Sequence, residues 1–353
     1  MAPDSRLPHS GQAAWTAIVH ASPVVKYVGD GALLITPGTG VLLALNGSGA
    51  CVYAGLSRGQ SLGEISAGLA SRFGISRERA ANDVESFLAS EPVAAGSRLA
   101  IDESPFRFAG RGHDFVVTRD DRSCLEIALD GQTMTIVPTI SAALAKEAVR
   151  WATAKLAILQ GRPVLHASAV RASAQGALAF SGRSGAGKTT LAHAFAKSGA
   201  ELVCQDSVVL QFDRQGADRL AMLLPFEDQA REWTDAILAR AEPGKPFPAK
   251  LPLPDEKSAI RLDRILFVDR ARRAGHTLST APLGPTAAVA AVLVNFFWAS
   301  LARAACERAL DWALETVSLV SVEELTVPDG VPRLTSTARA FLDGYATRKT
   351  ASY

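Results

Sequence analysis

The sequence lacks the closely spaced cysteines that mark zinc sites and disulfide frameworks. Cys51, Cys124, Cys204 and Cys306 lie far apart and form no CxxC pair, which favours reduced thiols in a cytoplasmic protein. An excess of either charge is also lacking, because the formal net charge is only +2 over 353 residues. No general attraction to nucleic acid or to an anionic membrane is therefore expected.

A membrane-spanning run is missing as well. The stretch 287–301 is almost wholly apolar, but Asn295 and Ser300 interrupt it, and it is shorter than the roughly 20 residues that a spanning helix needs. A buried core helix is expected there. Residues 1–17 contain no apolar run either, so they are predicted to form a disordered leader and not a signal peptide.

The pattern from residue 24 to residue 96 predicts a small domain of strands followed by helices. The strands are expected at Val24–Val28, Ala32–Thr36 and Gly40–Leu45. Ser61 and Glu64 then form a possible capping box for one helix, which Gly74 ends. Ser76 is the predicted N-cap of a further helix that ends before Pro92.

The segment 94–111 mixes Gly, Ser and Pro with little periodicity, which places a domain boundary there. The predicted organisation is a disordered leader at 1–17, a first domain at 18–96, a linker at 97–112, a second domain at 113–340 and a tail at 341–353. The second domain is expected to begin with strands at 114–117, 124–129 and 133–137 and a helix at 141–159.

The most informative stretch follows at 164–204. It predicts strands at 164–170 and 177–181, a glycine-rich loop, a helix at 188–197 and a strand at 202–204. This order is typical of an α/β nucleotide-binding core. The loop satisfies the phosphate-binding pattern GxxxxGK[ST] at every position. A tight turn that merely starts a helix is the alternative interpretation.

The loop supplies the candidate nucleotide-binding residues. They are Gly182, Arg183, Ser184, Gly185, Ala186, Gly187, Lys188, Thr189 and Thr190. Glycines let the backbone curl so that several N–H groups point at one phosphate, and the helix N-terminus adds partial positive charge. Lys188 is placed to bridge the outer phosphates of ATP, and Thr189 to ligate Mg²⁺. Asp206, just after the last strand, is the candidate metal carboxylate, with a surface turn as the alternative.

His166 is the histidine with the most suggestive context. It lies within the strand predicted at 164–170, where alternation places it either in the core or towards the phosphates. A strand histidine taken alone is more often structural. The residues by themselves leave both interpretations open.

The stretch 165–210 resembles the C-terminal catalytic domain of HPr kinase/phosphorylase. The resembling segments are LHASAV, GALAFSGRSGAGKTTLA and SGAELVCQDSVVL. The resemblance implies a P-loop kinase fold related to phosphoenolpyruvate carboxykinase, and transfer of phosphate from ATP to a serine of a protein or precursor peptide. It makes Lys188 and Thr189 phosphate and magnesium ligands and places His166 near the transferring phosphate.

The same resemblance singles out Gln205 and Asp206 as catalytic candidates. The family usually has two consecutive aspartates here, and the first is its general base. A glutamine cannot accept the hydroxyl proton. Three options follow: Asp206 does both jobs, another residue supplies the base, or transfer proceeds slowly without one, since positioning and charge neutralisation supply most of the acceleration.

The region 18–96 resembles the PqqD type of peptide-recognition domain, a small winged helix. The resembling segments are LLITPGTGVLLALNGSGACVYAGL and SLGEISAGLASRFGIS. The resemblance implies that a precursor-peptide leader adds a strand to an exposed sheet edge, expected at 40–45, beside the helix after Ser76. DNA binding is disfavoured, because acidic residues offset the basic ones from Arg58 to Glu91.

Together these features predict a cytoplasmic α/β peptide kinase that uses ATP and Mg²⁺, without a nucleic-acid or membrane partner. The first domain would hold the leader, and the second would phosphorylate a hydroxyl, most readily of serine. A catalytically impaired nucleotide-binding adaptor and a small-metabolite kinase are the alternatives. A homo-oligomer is left open.

Overall fold

The structure is a computed structural model that describes residues 10–90, 106–111, 114–173, 176–215, 218–251, 259–273, 277–327 and 331–350. The chain divides into two compact units. The first unit comprises Met1–Ala100, Gly284–Ala290 and Leu301–Leu310, and the second comprises Ile101–Leu283, Ala291–Ser300 and Asp311–Tyr353. The mixed α/β class that the sequence predicts is confirmed, and the kinase type of the second domain stays a prediction.

The first unit contains a small antiparallel sheet and helices. Its elements are α1 (Ser10–His20), β1 (Val24–Val28), β2 (Gly31–Thr36), β3 (Val41–Leu45), α2 (Gly47–Ser57), α3 (Leu62–Phe73) and α4 (Arg77–Ala89). β2 is the central strand, and β1 and β3 flank it. Residues 31–35 of β2 are all buried, so both faces of this strand are covered.

The predicted helix caps of this unit are confirmed. Ser61 and Glu64 form a complete capping box at the start of α3, and Gly74 ends that helix in the left-handed conformation with φ of 64°. Ser76 accepts a hydrogen bond from the Arg79 backbone amide at the start of α4. These caps are local signals, which is why the sequence alone locates them.

Two helices of the first unit differ from the predictions. Helix α1 covers part of the predicted disordered leader, because Trp15 is only 3% exposed and stacks on Phe87 of α4 with ring centroids 4.2 Å apart. Helix α2 was not predicted, since its glycines weaken the helical pattern. One of them, Gly55, is required by packing: a Cβ there would lie 2.5 Å from Ile65.

The second unit contains a five-stranded antiparallel sheet in the order β13-β7-β6-β5-β4. Its strands are β4 (Phe106–Arg111), β5 (Asp114–Arg119), β6 (Arg122–Ala128), β7 (Thr133–Ile136) and β13 (Pro246–Pro248), and helix α5 (Ala142–Leu159) lies between β7 and the next strand in sequence. Strand β4 falls within the predicted linker. Phe106 and Phe108 are buried and lie near the Trp151 ring, so tertiary packing makes this short segment a strand.

The larger sheet of the second unit has eight strands, in the order β10-β8-β11-β12-β14-β16-β15, with β9 paired to both β8 and β14. These strands are β8 (Val164–Ser173), β9 (Gly176–Ser181), β10 (Glu201–Cys204), β11 (Ser207–Gln215), β12 (Asp218–Pro225), β14 (Ile260–Arg273), β15 (Ser279–Pro282) and β16 (Ser321–Val327). β9 and β16 run parallel to β14. The predicted strand, loop, helix and strand of residues 164–204 are therefore present.

The remaining helices complete the chain. They are α6 (Lys188–Lys197), α7 (Glu227–Leu238), α8 (Pro285–Val294), α9 (Arg303–Leu319) and α10 (Val331–Thr350). The predicted core helix at 287–301 thus ends at Val294. Most of the predicted tail belongs to α10, where Phe341 and Tyr345 are buried. No helix among the described residues is both long and apolar enough to span a membrane.

Candidate functional site

The glycine-rich loop connects β9 to α6 in the second unit. Gly182, Gly185 and Gly187 adopt positive φ angles of 141°, 73° and 103°, a region that side-chain-bearing residues rarely occupy. At Gly182 a Cβ would also lie 2.5 Å from the Val268 carbonyl oxygen. The spacing of glycines in the sequence therefore corresponds to backbone turns that need them.

Lys188 is the first residue of α6, and only 6% of its surface is exposed. Its Nζ donates hydrogen bonds to the carbonyl oxygens of Gly182, at 2.8 Å, and Arg183, at 3.2 Å. The ammonium thus lies against the start of the glycine loop, at the positive end of the α6 dipole. The Lys188 ammonium and the N-terminus of α6 therefore both contribute positive charge at the glycine loop.

Ser168, Thr189 and Gln205 meet beside the start of α6. The Thr189 hydroxyl donates to the Gln205 backbone carbonyl at 3.2 Å, and the Ser168 hydroxyl donates to the same carbonyl. The two hydroxyl oxygens are 3.4 Å apart. Gln205 therefore contributes its main chain to this cluster. Ser168 was missed by sequence reasoning, although it lies two residues from His166 and on the same face of the strand.

His166 and Asp206 are brought together, as a site role for both requires. His166 Nδ1 lies 3.5 Å from Asp206 Oδ1, and the His166 ring meets Phe297 edge-on with centroids 5.4 Å apart. The His166 side chain is 30% exposed and that of Asp206 68%. His166 is thus neither a core residue nor fully solvated. Its imidazole can exchange a proton with the carboxylate or with a group that approaches from solvent.

Asn295 is a site residue that sequence reasoning missed. Its side-chain oxygen accepts a hydrogen bond from the Gly182 backbone amide at 3.1 Å, and its side-chain nitrogen donates to the Ala291 carbonyl at 2.8 Å. Its backbone carbonyl accepts from the His166 amide at 2.8 Å. Asn295 therefore connects the first residue of the glycine loop with the strand that carries His166.

The other predicted loop residues are described by their exposure to solvent. Arg183, Ser184 and Thr190 are exposed on the loop and the first turn of α6. Ala186 is buried in the hydrophobic core that α6 forms with the sheet. Among the described residues, no group of three or more His, Cys, Asp or Glu side chains is arranged to hold a metal ion.

One comparison with known proteins identifies part of the first unit. Residues 31–90 match the family model described as coenzyme PQQ synthesis protein D (PqqD). The chain thus carries a PqqD-like domain that extends from β2 to α4. No curated protein shows significant similarity to the chain.

The PqqD-like domain offers two strand edges. β1 and β3 each pair only with β2 within the described part of the chain, so both have an outer edge without a strand partner there. β3 is the edge that the sequence singles out for peptide binding. The helix beside it in that prediction, α4, is partly covered, because the Trp15 indole donates to the backbone carbonyls of Phe87 and Ser90.

Proposed function

We propose that the second unit binds ATP with Mg²⁺ at the glycine loop and transfers the γ-phosphoryl group to a hydroxyl, most readily of serine, on a peptide held by the PqqD-like domain. The observation that carries the proposal is the loop itself. Positive-φ glycines, the N-terminus of α6 and the Lys188 ammonium converge within a few residues, which is the arrangement that favours a polyphosphate.

The residues present fit the expected ligands. Lys188 would exchange its loop carbonyls for phosphate oxygens, and the backbone amides of the loop would bind the anion. Thr189 and Asp206 would hold Mg²⁺, an ion that is usually bound through one or two protein groups together with substrate phosphates. When bound, the ion would neutralise charge on the phosphates.

The transfer would break the bond between the γ-phosphorus and the ADP oxygen and form a bond from the substrate hydroxyl oxygen to that phosphorus. The hydroxyl proton must leave in the same process. Asp206 beside His166 is the acceptor that the geometry supports, because their side chains lie 3.5 Å apart and are both accessible. Gln205 has no acidic side chain, and its carbonyl positions Thr189 instead.

The PqqD-like domain supports a peptide as the substrate. Holding the substrate by a segment remote from the reacting hydroxyl raises its effective concentration at the catalytic residues. The catalytic residues then need little selectivity of their own. A main-chain strand addition at an open sheet edge would bind many sequences and leave selectivity to side-chain pockets.

The test uses the full-length protein with radiolabelled ATP, Mg²⁺ and the candidate precursor peptide encoded next to its gene. Labelled peptide is expected from the wild type and from Lys197→Ala, a matched control at the exposed end of α6. None is expected from Lys188→Ala. Thermal unfolding shows whether that variant is folded, and Thr189→Val is a milder second variant. Failure of the wild type to bind ATP and Mg²⁺ by calorimetry would refute the proposal.

A nucleotide-binding adaptor without transfer is a second candidate, and Gln205 is the observation that favours it. The Gln205 side chain is exposed at the position where the resembling family has its general base. Gln205→Asp separates the two candidates. An impaired kinase should gain rate from this change, whereas an adaptor should bind nucleotide as before and still transfer no phosphate. A small-metabolite kinase would instead be indifferent to deletion of residues 1–96.

A further inference from the structure

A groove of about 250 Å³ opens beside Tyr27 of β1, and we call it the Tyr27 groove. It is lined by Tyr27, Ala50, Cys51, Ala54, Arg58, Gln60, Glu64, Ile65, Gly68 and Arg72. The lining residues come from β1, α2, α3 and the connection between these helices. All of them except Tyr27 fall within the PqqD-like match.

The inner wall of the Tyr27 groove is apolar and fixed. Ala50, Ala54 and Gly68 leave room above Ile65, which is 3% exposed. Helices α2 and α3 cannot approach further, because a Cβ at Gly55 would already lie 2.5 Å from Ile65. The wall is thus preformed for an apolar side chain, and little ordering is needed when one binds.

Tyr27 itself is unusually exposed for its position. It belongs to an edge strand, and 59% of its surface is accessible, whereas Val24 and Val28 at the two ends of the strand are buried. A large aromatic side chain at a sheet edge offers contact area to an extended chain that adds to that edge. β1 has no second strand partner within the described residues.

The rim of the Tyr27 groove is positively charged. Arg58 and Arg72 form no ion pair with any described residue, and the Arg72 guanidinium lies 5.6 Å from the centre of the Phe73 ring. The only carboxylate of the lining, Glu64, accepts hydrogen bonds from the Ser61 amide, at 2.8 Å, and hydroxyl, at 2.7 Å. That carboxylate is held in a helix cap, so the arginines are available to a carboxylate of a partner.

Two other surfaces of the domain suit a peptide less well. A groove between α3 and α4 contains Arg77 and Glu85, so its charges balance, and no strand lines it. At the end of α4, Trp15 covers Phe87. The Tyr27 groove therefore combines an open strand, an apolar wall and unbalanced positive charge in a way that these two surfaces do not.

We propose that the Tyr27 groove binds an extended, acidic segment of the peptide substrate. An apolar side chain of that segment would pack on the wall near Ile65, and a carboxylate would approach Arg58 and Arg72. This inference rests on the proposed peptide-binding function, and it adds the site and the charge of the peptide. It does not depend on phosphoryl transfer.

The test selects binders from a library of random linear dodecapeptides displayed on phage, with the full-length protein as bait. Parallel selections use the Arg58→Glu/Arg72→Glu double variant and the Arg79→Glu variant. Arg79 is an exposed arginine of α4 outside the groove, so this variant reverses a charge of the domain, by half as much as the double variant, without touching the lining. Peptides from the wild-type selection are then synthesised with a fluorescent label, and their affinities are measured by anisotropy.

We expect wild-type and Arg79→Glu selections to enrich the same acidic motif with an adjacent apolar residue. The double variant should lose this motif and bind the labelled peptides about tenfold more weakly at low salt, since exposed charge pairs are individually weak and screened. Enriched peptides without acidic residues, or unchanged affinity for the double variant, would overturn the inference. If the wild type enriches no peptide at all, the peptide-binding function itself fails.

Discussion

Replacing Asn295 with alanine tests whether one side chain holds the glycine loop ready for a nucleotide. The substitution removes the acceptor of the Gly182 amide and the donor to the Ala291 carbonyl. Leaving a largely buried backbone N–H without its partner costs about 1–3 kcal/mol. The free energy of unfolding should fall by this amount, because Gly182 is buried.

Nucleotide affinity should fall as well, because the loop would have to be ordered during binding. Each ~1.4 kcal/mol of ordering cost weakens binding about tenfold, so Asn295→Ala should bind a non-hydrolysable ATP analogue about tenfold more weakly or worse. Asn295→Asp keeps an acceptor oxygen for Gly182 but adds a negative charge near the phosphates. Its loss of affinity should therefore shrink as salt is added. Calorimetry with Mg²⁺ at two salt concentrations measures both effects.

Asn46→Ala is the matched control for Asn295. Asn46 is the N-cap of α2 in the first unit, and its side chain accepts a hydrogen bond from the Gly49 amide at 2.9 Å. Its loss should cost about 1 kcal/mol of stability and leave nucleotide affinity unchanged. The role given to Asn295 is refuted if Asn295→Ala loses stability but binds nucleotide as tightly as the wild type, or if Asn46→Ala weakens binding equally.

Three other changes follow from single contacts. Gly182→Ala should abolish nucleotide binding in calorimetry, because residue 182 has a φ of 141° and the new Cβ would lie 2.5 Å from a backbone carbonyl oxygen. Gly344→Ala, in open space within α10, should instead raise the free energy of unfolding by about 0.5–1 kcal/mol. Equal nucleotide affinity of the two variants would contradict this. Trp15→Ala should lower the free energy of unfolding by about 3–5 kcal/mol. A loss under about 1 kcal/mol would show that the packing of α1 does not stabilise the first unit. Burial raises the pKa of the Cys306 thiol from 9.0 to about 11. The unfolded chain therefore releases this proton first, and stability should fall by up to about 1.4 kcal/mol per pH unit across that interval; denaturant titrations of Cys306→Ala should lack this slope.

The elements that the sequence predicts correctly are those whose deciding signal lies within a few residues. Helix α6 begins at Lys188 and ends at Lys197, as predicted, because the glycine loop precedes it directly. The capping box of Ser61 and Glu64 is likewise contained in one turn. Local hydrogen bonds and backbone preferences decide such elements, so their neighbours in sequence are sufficient evidence.

The missed elements depend on contacts between distant segments. Strand β4 exists because Phe106 and Phe108 pack near Trp151, and α1 because Trp15 packs on Phe87. Neither segment carries a long periodic pattern of its own. Local propensity was overruled by burial in both cases.

The same distinction applies to the candidate site. The contiguous motif from Gly182 to Thr189 was visible in the sequence, whereas Asn295 is 113 residues from the amide that it holds. In the sequence Asn295 looked like an interruption of an apolar helix. A polar residue that ends a buried helix beside a strand is a signal for such a role, but only the fold shows which backbone group it meets.

The contact made by Gln205 explains how a residue can change at the position where the resembling family has its general base, without loss of the surrounding arrangement. Thr189 and Ser168 use its main-chain carbonyl, and any amino acid supplies that carbonyl. The side chain is exposed, so packing does not constrain it. In the proposed mechanism, nucleotide binding and proton removal are therefore carried by different atoms of the site. The glutamine should therefore lower the turnover rate, which depends on proton removal, and leave the affinity for nucleotide nearly unchanged.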